Sequence, residues 1–323
     1  MIYLAWLVYV PLQILWLPLS ILGSLWVGYK QIWISRKLGL SQTAVEILNG
    51  RLTADIFGMR EDAPSRRLAP KLPNNSVFGL LLTLAPLLIA KGIAGRPILY
   101  PSLPDDEKAG IASLVFSRTR RFDGLIAVRS SDIAQFVVLG AGLDTRCYGP
   151  LAGQGLAMFE LDQAANQRAK RKAVERARLD AHRVRYVEVD FAQQNWIEAL
   201  KASTYDPALR TIFLWEGVTP YLSEAEVRAT LAAIKANAAE GSVVLLDIYA
   251  TRLIAPLRRG AAATTLEATG EGLDFGLDFS SDAEGALASF ATSVQLGLGR
   301  HFFLGSASGK GPFMVVAELS IGD

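Results

Sequence analysis

The chain has 323 residues, a formal charge of +2 and a single cysteine, Cys147. That length admits one large domain or two smaller ones, the near-zero charge gives no global sign of nucleic-acid binding, and one cysteine excludes an intrachain disulfide. With only His182 and His301 beside it, a metal site of the usual Cys/His kind is not expected.

Residues 1–29 carry no charged side chain. About 20 apolar residues suffice to cross a bilayer, so this stretch is a candidate membrane anchor, with Trp6, Trp16, Trp26 and Tyr29 as interfacial aromatics. A cleaved signal peptide fits poorly: no basic region leads it, and the apolar run is too long. Pro11 and Pro18 predict a bent span or a re-entrant hairpin. The alternative is an unusually apolar helix buried in protein. Lys30, Arg36 and Lys37 follow directly, and by the positive-inside bias they put the rest of the chain in the cytoplasm. The expected location is therefore the membrane, single-pass or monotopic. A second apolar run, residues 77–90, contains Pro86 and is short for a span; it is expected to pack on the domain or dip into one leaflet. Between the two runs, residues 41–57 read as a helix capped by Ser41, and residues 62–75 as a Pro-rich polar loop.

From about residue 105 the pattern changes. Residues 111–128 read as a helix bearing Arg118, Arg120 and Arg121. Residues 135–148, QFVVLGAGLDTRCY, then give a buried strand, a turn at Gly140 and Gly142, and N-cap types Asp144 and Thr145 for a following helix. Such a corner points free backbone N–H groups at a ligand. Further strands are expected at 156–161, 184–189, 211–215 and 242–248. Helices are expected at 164–181, 196–201 and from Ser223, where Glu226 completes a capping box. The helix at 164–181 is strongly basic; its bland reading is a solvated face, and the alternative is attraction to anionic headgroups. Two more strands are expected at 293–298 and 312–319, the second pairing antiparallel at an edge. Strands alternating with helices make a mostly parallel α/β sheet.

In such a sheet, ligands sit beyond the carboxyl ends of the strands. Successive strand ends here supply Gly140 and Gly142, then Asp162, then Asp190 with Phe191, then Glu216. Asp162 stands about 20 residues after the glycine turn, the spacing for a carboxylate on ribose hydroxyls. A dinucleotide and S-adenosylmethionine both satisfy that much. Two features favour the second. The third glycine of the dinucleotide fingerprint is missing, with an acidic Asp144 nearby that would repel a pyrophosphate. Asp190-Phe191 offers an acceptor for an adenine amino group and an aromatic face for its ring. Arg118 is a candidate for the carboxylate of the methionine end.

The motifs SQTA at Ser41, SRTRRFD at Ser117, VVLGAGLDTRCY at Val137, FELDQ at Phe159, VEVDF at Val187, LWEGVTPYLSEAEV at Leu214 and GLDFGLD at Gly272 resemble the leucine carboxyl methyltransferase family of S-adenosylmethionine-dependent O-methyltransferases, including its bacterial branch of unassigned substrate. The resemblance implies a class I methyltransferase, Rossmann-like α/β fold with an antiparallel edge strand. It implies cofactor contacts from Arg118, Gly140, Asp162, Asp190, Phe191 and Glu216. Cys147 stands where the family often has alanine and is expected to be small and buried. Residues 1–34 are expected to be the anchor, 35–130 a helical region and cap, and 131–323 the S-adenosylmethionine-binding domain. The apolar segment 1–29 and the stretch 73–101 depart from the family, which points away from its soluble substrates and toward a lipophilic small-molecule acceptor and membrane lipid as partners. The open alternatives are a protein carboxyl methyltransferase and a membrane-tethered protein that binds the cofactor without turnover. No general base is assigned; His301 reads as structural, and residues 251–283 are placed like a lid, with Leu253, Ile254, Leu257, Leu273, Phe275 and Phe279 either lining a pocket or packing in the core.

Overall fold

The computed structural model describes residues 1–191, 194–257 and 273–322. The chain forms two compact units. The first comprises Met1–Leu103, Gly142–Gly149 and Arg168–Asp180; the second comprises Pro104–Ala141, Pro150–Gln167 and Ala181–Asp323.

The first unit is helical. Helix α1 (Ile2–Tyr29) runs uninterrupted past Pro11 and Pro18, passes through a π-helical turn at Lys30–Ile34 and continues as α2 (Ser35–Leu38). Gly39, at φ 63°, ends it in the left-handed conformation that glycine tolerates best. Helix α3 (Gln42–Ile56) starts where expected: the Ser41 hydroxyl accepts the Ala44 N–H at 3.1 Å. The segment 62–75 is not simply a loop. Asp62 accepts the Ser65 N–H at 3.0 Å, and Pro64 in the first turn needs no donor there, so α4 (Ala63–Leu68) forms. Helix α5 (Val77–Ala94), capped by Ser76, then returns antiparallel along α1. The two backbones meet at glycines: a Cβ on Gly23 would stand 2.6 Å from the Gly79 carbonyl oxygen. Trp16 donates its indole N–H to the Leu82 carbonyl at 3.0 Å.

The second unit is built on a seven-stranded sheet of order β3-β2-β1-β4-β5-β7-β6. Its strands are β1 (Gln135–Leu139), β2 (Ala157–Asp162), β3 (Val184–Glu188), β4 (Thr211–Trp215), β5 (Val243–Tyr249), β6 (Gly297–Leu304) and β7 (Met314–Ser320). The first five are parallel, in register Val137↔Phe159, Leu161↔Val187, Val137↔Phe213 and Phe213↔Val244. β1 and β4 are buried throughout, which is why they read as continuous apolar runs. β7 runs antiparallel between β5 and β6, pairing Leu246↔Ala317 and Phe302↔Val316. Two expectations are corrected here. The edge is β6, not the strand at 312–319, and residues 293–298 are mostly not strand: a helix, α11 (Ala283–Ser293), runs up to that point. β7 is buried along its whole length, as an inner strand must be, whereas β6 is mixed in exposure and hidden in the sequence by Gly297, Gly299 and Arg300.

Helices α6 (Leu114–Arg129), α7 (Ala164–Arg176), α8 (Trp196–Lys201), α9 (Glu224–Ala236) and α10 (Thr251–Leu257) complete the chain. The capping box of α9 is present in both directions, with Glu226 accepting the Ser223 N–H at 2.7 Å and Ser223 accepting the Glu226 N–H at 3.3 Å. The core under the sheet gathers Phe159, Phe213, Trp215, Leu246 and Phe290. Ile254, Phe275 and Phe279 are buried in protein, so these positions of the expected lid take the packing role. Residues 258–272 of that lid, with Gly272 of the last motif, lie outside the described residues.

Candidate cofactor site

In the second unit, parallel pairing brings four sequence-predicted tips to one edge of the sheet on neighbouring strands: Asp190 and Phe191 after β3, Asp162 ending β2, Gly140 after β1 and Glu216 after β4. At about 4.8 Å per strand these tips span roughly 15 Å. Gly140 has φ 66°, and a Cβ there would stand 2.6 Å from a Val218 methyl carbon. The position therefore demands glycine on two counts. The next N–H, that of Ala141, donates to the Leu161 carbonyl at 2.9 Å and ties the turn to β2. Asp162 accepts the Gln163 N–H at 2.7 Å and the Asn166 amide at 3.0 Å through one oxygen, Oδ1. Asp190 donates its backbone N–H to Gln194 at 2.9 Å. Phe191 is half-buried, with its ring 6.2 Å from that of Trp196.

Arg118 on α6 is brought to the tip of β4. Its Nε lies 3.2 Å from Glu216, and its Nη1 lies 3.1 Å from Asp247 and 2.7 Å from the Tyr249 hydroxyl. Burial works against the guanidinium charge, but Tyr249, Glu216 and Asp247 more than offset it, so its pKa is raised further. Burial likewise pushes the Asp247 carboxyl up, against the opposing pull of Arg118 and the Gly217 N–H. That N–H donates to Asp247 at 2.8 Å. Gly217 has φ 71°, and a Cβ would come within 3.1 Å of Arg118 Nη1.

Asp247 and Tyr249 were not singled out from the sequence. The signal was present: VVLLDIY places one carboxylate in a run of apolar residues that reads as a buried strand, where a charge persists only if paired.

Gly142 belongs to the first unit. It has φ 43°, and the α-helix expected after Thr145 is absent: Arg146–Tyr148 is a single 3-10 turn. Asp144 does accept a backbone N–H, that of Arg146 at 2.7 Å, but its main role is ionic, with Arg146 at 2.5 Å and Arg51 at 2.9 Å. Burial raises the Asp144 carboxyl, and the two arginines outweigh this and hold it far below the usual range. The Thr145 hydroxyl lies 3.0 Å from Asp62. Cys147 is buried, as expected. In the basic helix, Lys170 is buried, which corrects the solvated-face reading at that position, whereas Arg168, Arg171, Lys172 and Arg176 are exposed. In the second unit, His301 is held by Glu284 at 2.8 Å and the Gly299 carbonyl at 3.0 Å, on the strand farthest in the sheet from β3.

The family model described as leucine carboxyl methyltransferase matches residues 97–235, the segment that carries α6, the glycine turn and strands β1 to β4. A Streptomyces avermitilis protein is 37% identical over 48% of this chain and 58% of its own length. One from Streptomyces coelicolor is 32% identical over 54% of this chain and 64% of its own length. Both are named, provisionally, as S-adenosyl-L-methionine-dependent methyltransferases. The chain thus spans about three fifths of the length of these curated relatives. Among solved structures, magnesium protoporphyrin IX methyltransferase from Synechocystis with bound S-adenosylhomocysteine aligns at TM-score 0.43 and 13% identity, over 68% of this chain and 90% of that one.

Proposed function

We propose that this chain, whose residues 97–235 belong to the leucine carboxyl methyltransferase family, is an S-adenosylmethionine-dependent O-methyltransferase. It works attached to a membrane on a carboxylate or hydroxyl of a lipophilic small molecule. The observation that carries the reading is the row of polar tips on β3, β2, β1 and β4. The donor and acceptor chemistry of the row fits that cofactor. Asp162 and Asp190 are acceptors for ribose hydroxyls and an adenine amino group, and Phe191 supplies a ring face. Gly140, at positive φ with Val218 packed against it, lets the chain turn sharply at the head of β1. Arg118, shared between Glu216 and Asp247, gives the methionine end both a cation and carboxylates to meet its own charges.

When bound, the cofactor supplies a methyl carbon already activated by a positive sulfur. The protein's task is then alignment and exclusion of water. Arg118 is rigid because three partners fix its guanidinium, so the end of the site it marks is pre-organised. A carboxylate acceptor is ionised at neutral pH and needs no base; a hydroxyl acceptor would need one. The apolar helices α1 and α5 favour an acceptor drawn from the membrane. Incubation of the full chain with methyl-tritiated cofactor and a bacterial lipid extract tests this. Label in the organic phase is expected. Label only in protein would favour a protein carboxyl methyltransferase, and cofactor binding without transfer to any fraction would favour a tethered binding protein.

A further inference from the structure

Helices α1 and α5 are each long and apolar enough to cross a bilayer, yet the first unit holds them in a way that a crossing does not allow. Helix α3 is tied at its start to the continuation of α1, near where α5 begins, and at its last residue to the far end of α5, so it covers the same height as α5. At one end Asn74, just before α5, donates to Ser35 at 2.9 Å, and Gln31 donates to the carbonyl of Gln42, the first residue of α3, at 3.5 Å. At the other end Lys91 donates to the carbonyl of Ile56, the last residue of α3, at 3.0 Å. Helix α3 buries Asn49, Arg51 and Asp55, with Arg51 paired to Asp144 at 2.9 Å. If α5 crossed the hydrocarbon, this charged helix and the irregular segment 58–62 would be carried in beside it. Irregular backbone exposed to lipid is not tolerated there, and buried charges are costly. Helix α1 is bound to α5 along the same length, through Trp16 to Leu82 and Gly23 to Gly79, so it shares that constraint.

We propose that α1 and α5 lie together in the plane of one leaflet, as a monotopic hairpin whose outer surface is dissolved in lipid and whose ends are tied to α3. The hairpin deepens the membrane attachment proposed above and does not depend on the methyl-transfer chemistry. The pattern of exposure selects lipid over a protein partner. Only Ala5, Ser20 and Gly23 of α1 are buried. Exposed residues such as Leu15, Leu17, Leu19 and Leu22 fan over roughly 200° at about 100° per residue, wider than one flat interface covers but suited to an apolar solvent. Exposed Trp6, Trp26, Tyr29 and Trp33 are aromatics of the kind found at headgroup depth. Every charged side chain in residues 1–40 and 63–104 is basic; Arg36, Lys37, Lys71 and Arg96 are exposed, complementary to anionic headgroups.

The full chain should sediment with vesicles of roughly equal parts phosphatidylcholine and phosphatidylglycerol. Leu15→Asp with Leu22→Asp should weaken this about tenfold or more, with an unchanged far-ultraviolet circular dichroism spectrum. Leu209→Asp, at an exposed leucine of the second unit, should leave it unchanged. Tyr3→Cys, Lys37→Cys and Arg96→Cys report topology in spheroplasts expressing the full chain, because native Cys147 is buried. An impermeant maleimide should leave all three unlabelled in intact spheroplasts and reach positions 37 and 96 after lysis. If the full chain binds vesicles but position 3 or 96 is labelled before lysis while position 37 is not, attachment stands and the in-plane hairpin is wrong. A monodisperse dimer that ignores vesicles would mean that a second copy covers the face, overturning hairpin and attachment together, while label transfer to soluble acceptors would still be free to occur.

Discussion

Asp247 sits at the bottom of the candidate site with no exposure and two tasks, holding Arg118 and fixing the Gly217 N–H. Removing one partner from a buried ionic group leaves the other uncompensated, at a cost of about 3–5 kcal/mol. Asp247→Ala should therefore lose stability on that scale in urea titration, together with cofactor affinity; a loss below about 1 kcal/mol would mean that Arg118 is satisfied without it. Gly217→Ala is a finer probe. It places a side chain at positive φ and within 3.1 Å of Arg118, so cofactor binding measured by calorimetry should weaken while the sheet stays intact. Unchanged affinity would separate Arg118 from the site. Asp144 gives a pH signature. Its folded pKa is lowered, by Arg146 first and Arg51 next against the opposing effect of burial. A carboxyl with a depressed folded pKa contributes stability above its unfolded value, about 3.9, and loses it as pH falls below that. The native protein should become steadily easier to unfold below about pH 4, and Asp144→Asn should flatten that dependence at the cost of lower stability near neutrality. A parallel pH profile in the variant would contradict the ionic assignment.

At the level of elements, the caps behave as local chemistry predicts. Ser223→Ala should cost about 1 kcal/mol in thermal or chemical unfolding, since it removes one side of the box that starts α9. Gly23→Leu should act differently, prying α1 from α5 where no Cβ fits; protease sensitivity within residues 1–40 should rise, and a variant as resistant as the native chain would show that the helices tolerate separation. These elements also mark what the sequence makes legible. The strands β1, β4 and β5 announce themselves as apolar runs because they lie inside the sheet and are buried on both faces. Ser41 and Ser223 announce their helices because capping is a contact between near neighbours. What stayed hidden depends on partners far along the chain. Asp144 looks like an N-cap until Arg51 is placed beside it. Asp62 looks like loop until it caps Ser65 and meets Thr145. Lys170 looks solvated among its basic neighbours but is buried. The strand β6 is masked by its glycines and by the half-exposed character of an edge. Glu216, Asp162 and Asp190 were legible as strand-end carboxylates; for Asp247 the sequence signals a paired charge inside a strand but not its partner, Arg118, which stands on another element.

For the molecule as a whole, the two units carry different parts of the proposed function. The second holds a mostly parallel sheet whose tips present acceptors, a glycine turn and a fixed arginine. The first holds an apolar helical pair with basic surroundings. Nothing in this division depends on a redox cofactor or a metal to explain the row of carboxylates; the row is explained by a ligand rich in hydroxyl and amino donors. The central claim is therefore that Asp162 and its neighbours hold the adenosyl portion of S-adenosylmethionine. Isothermal titration calorimetry of the full chain with S-adenosylhomocysteine, with NADH as the competing ligand, tests it most directly. The account predicts one-to-one binding of S-adenosylhomocysteine that Asp162→Ala weakens at least about tenfold, a loss of about 1.4 kcal/mol, with no heat from NADH. Binding of NADH, or S-adenosylhomocysteine binding indifferent to Asp162→Ala, would contradict it.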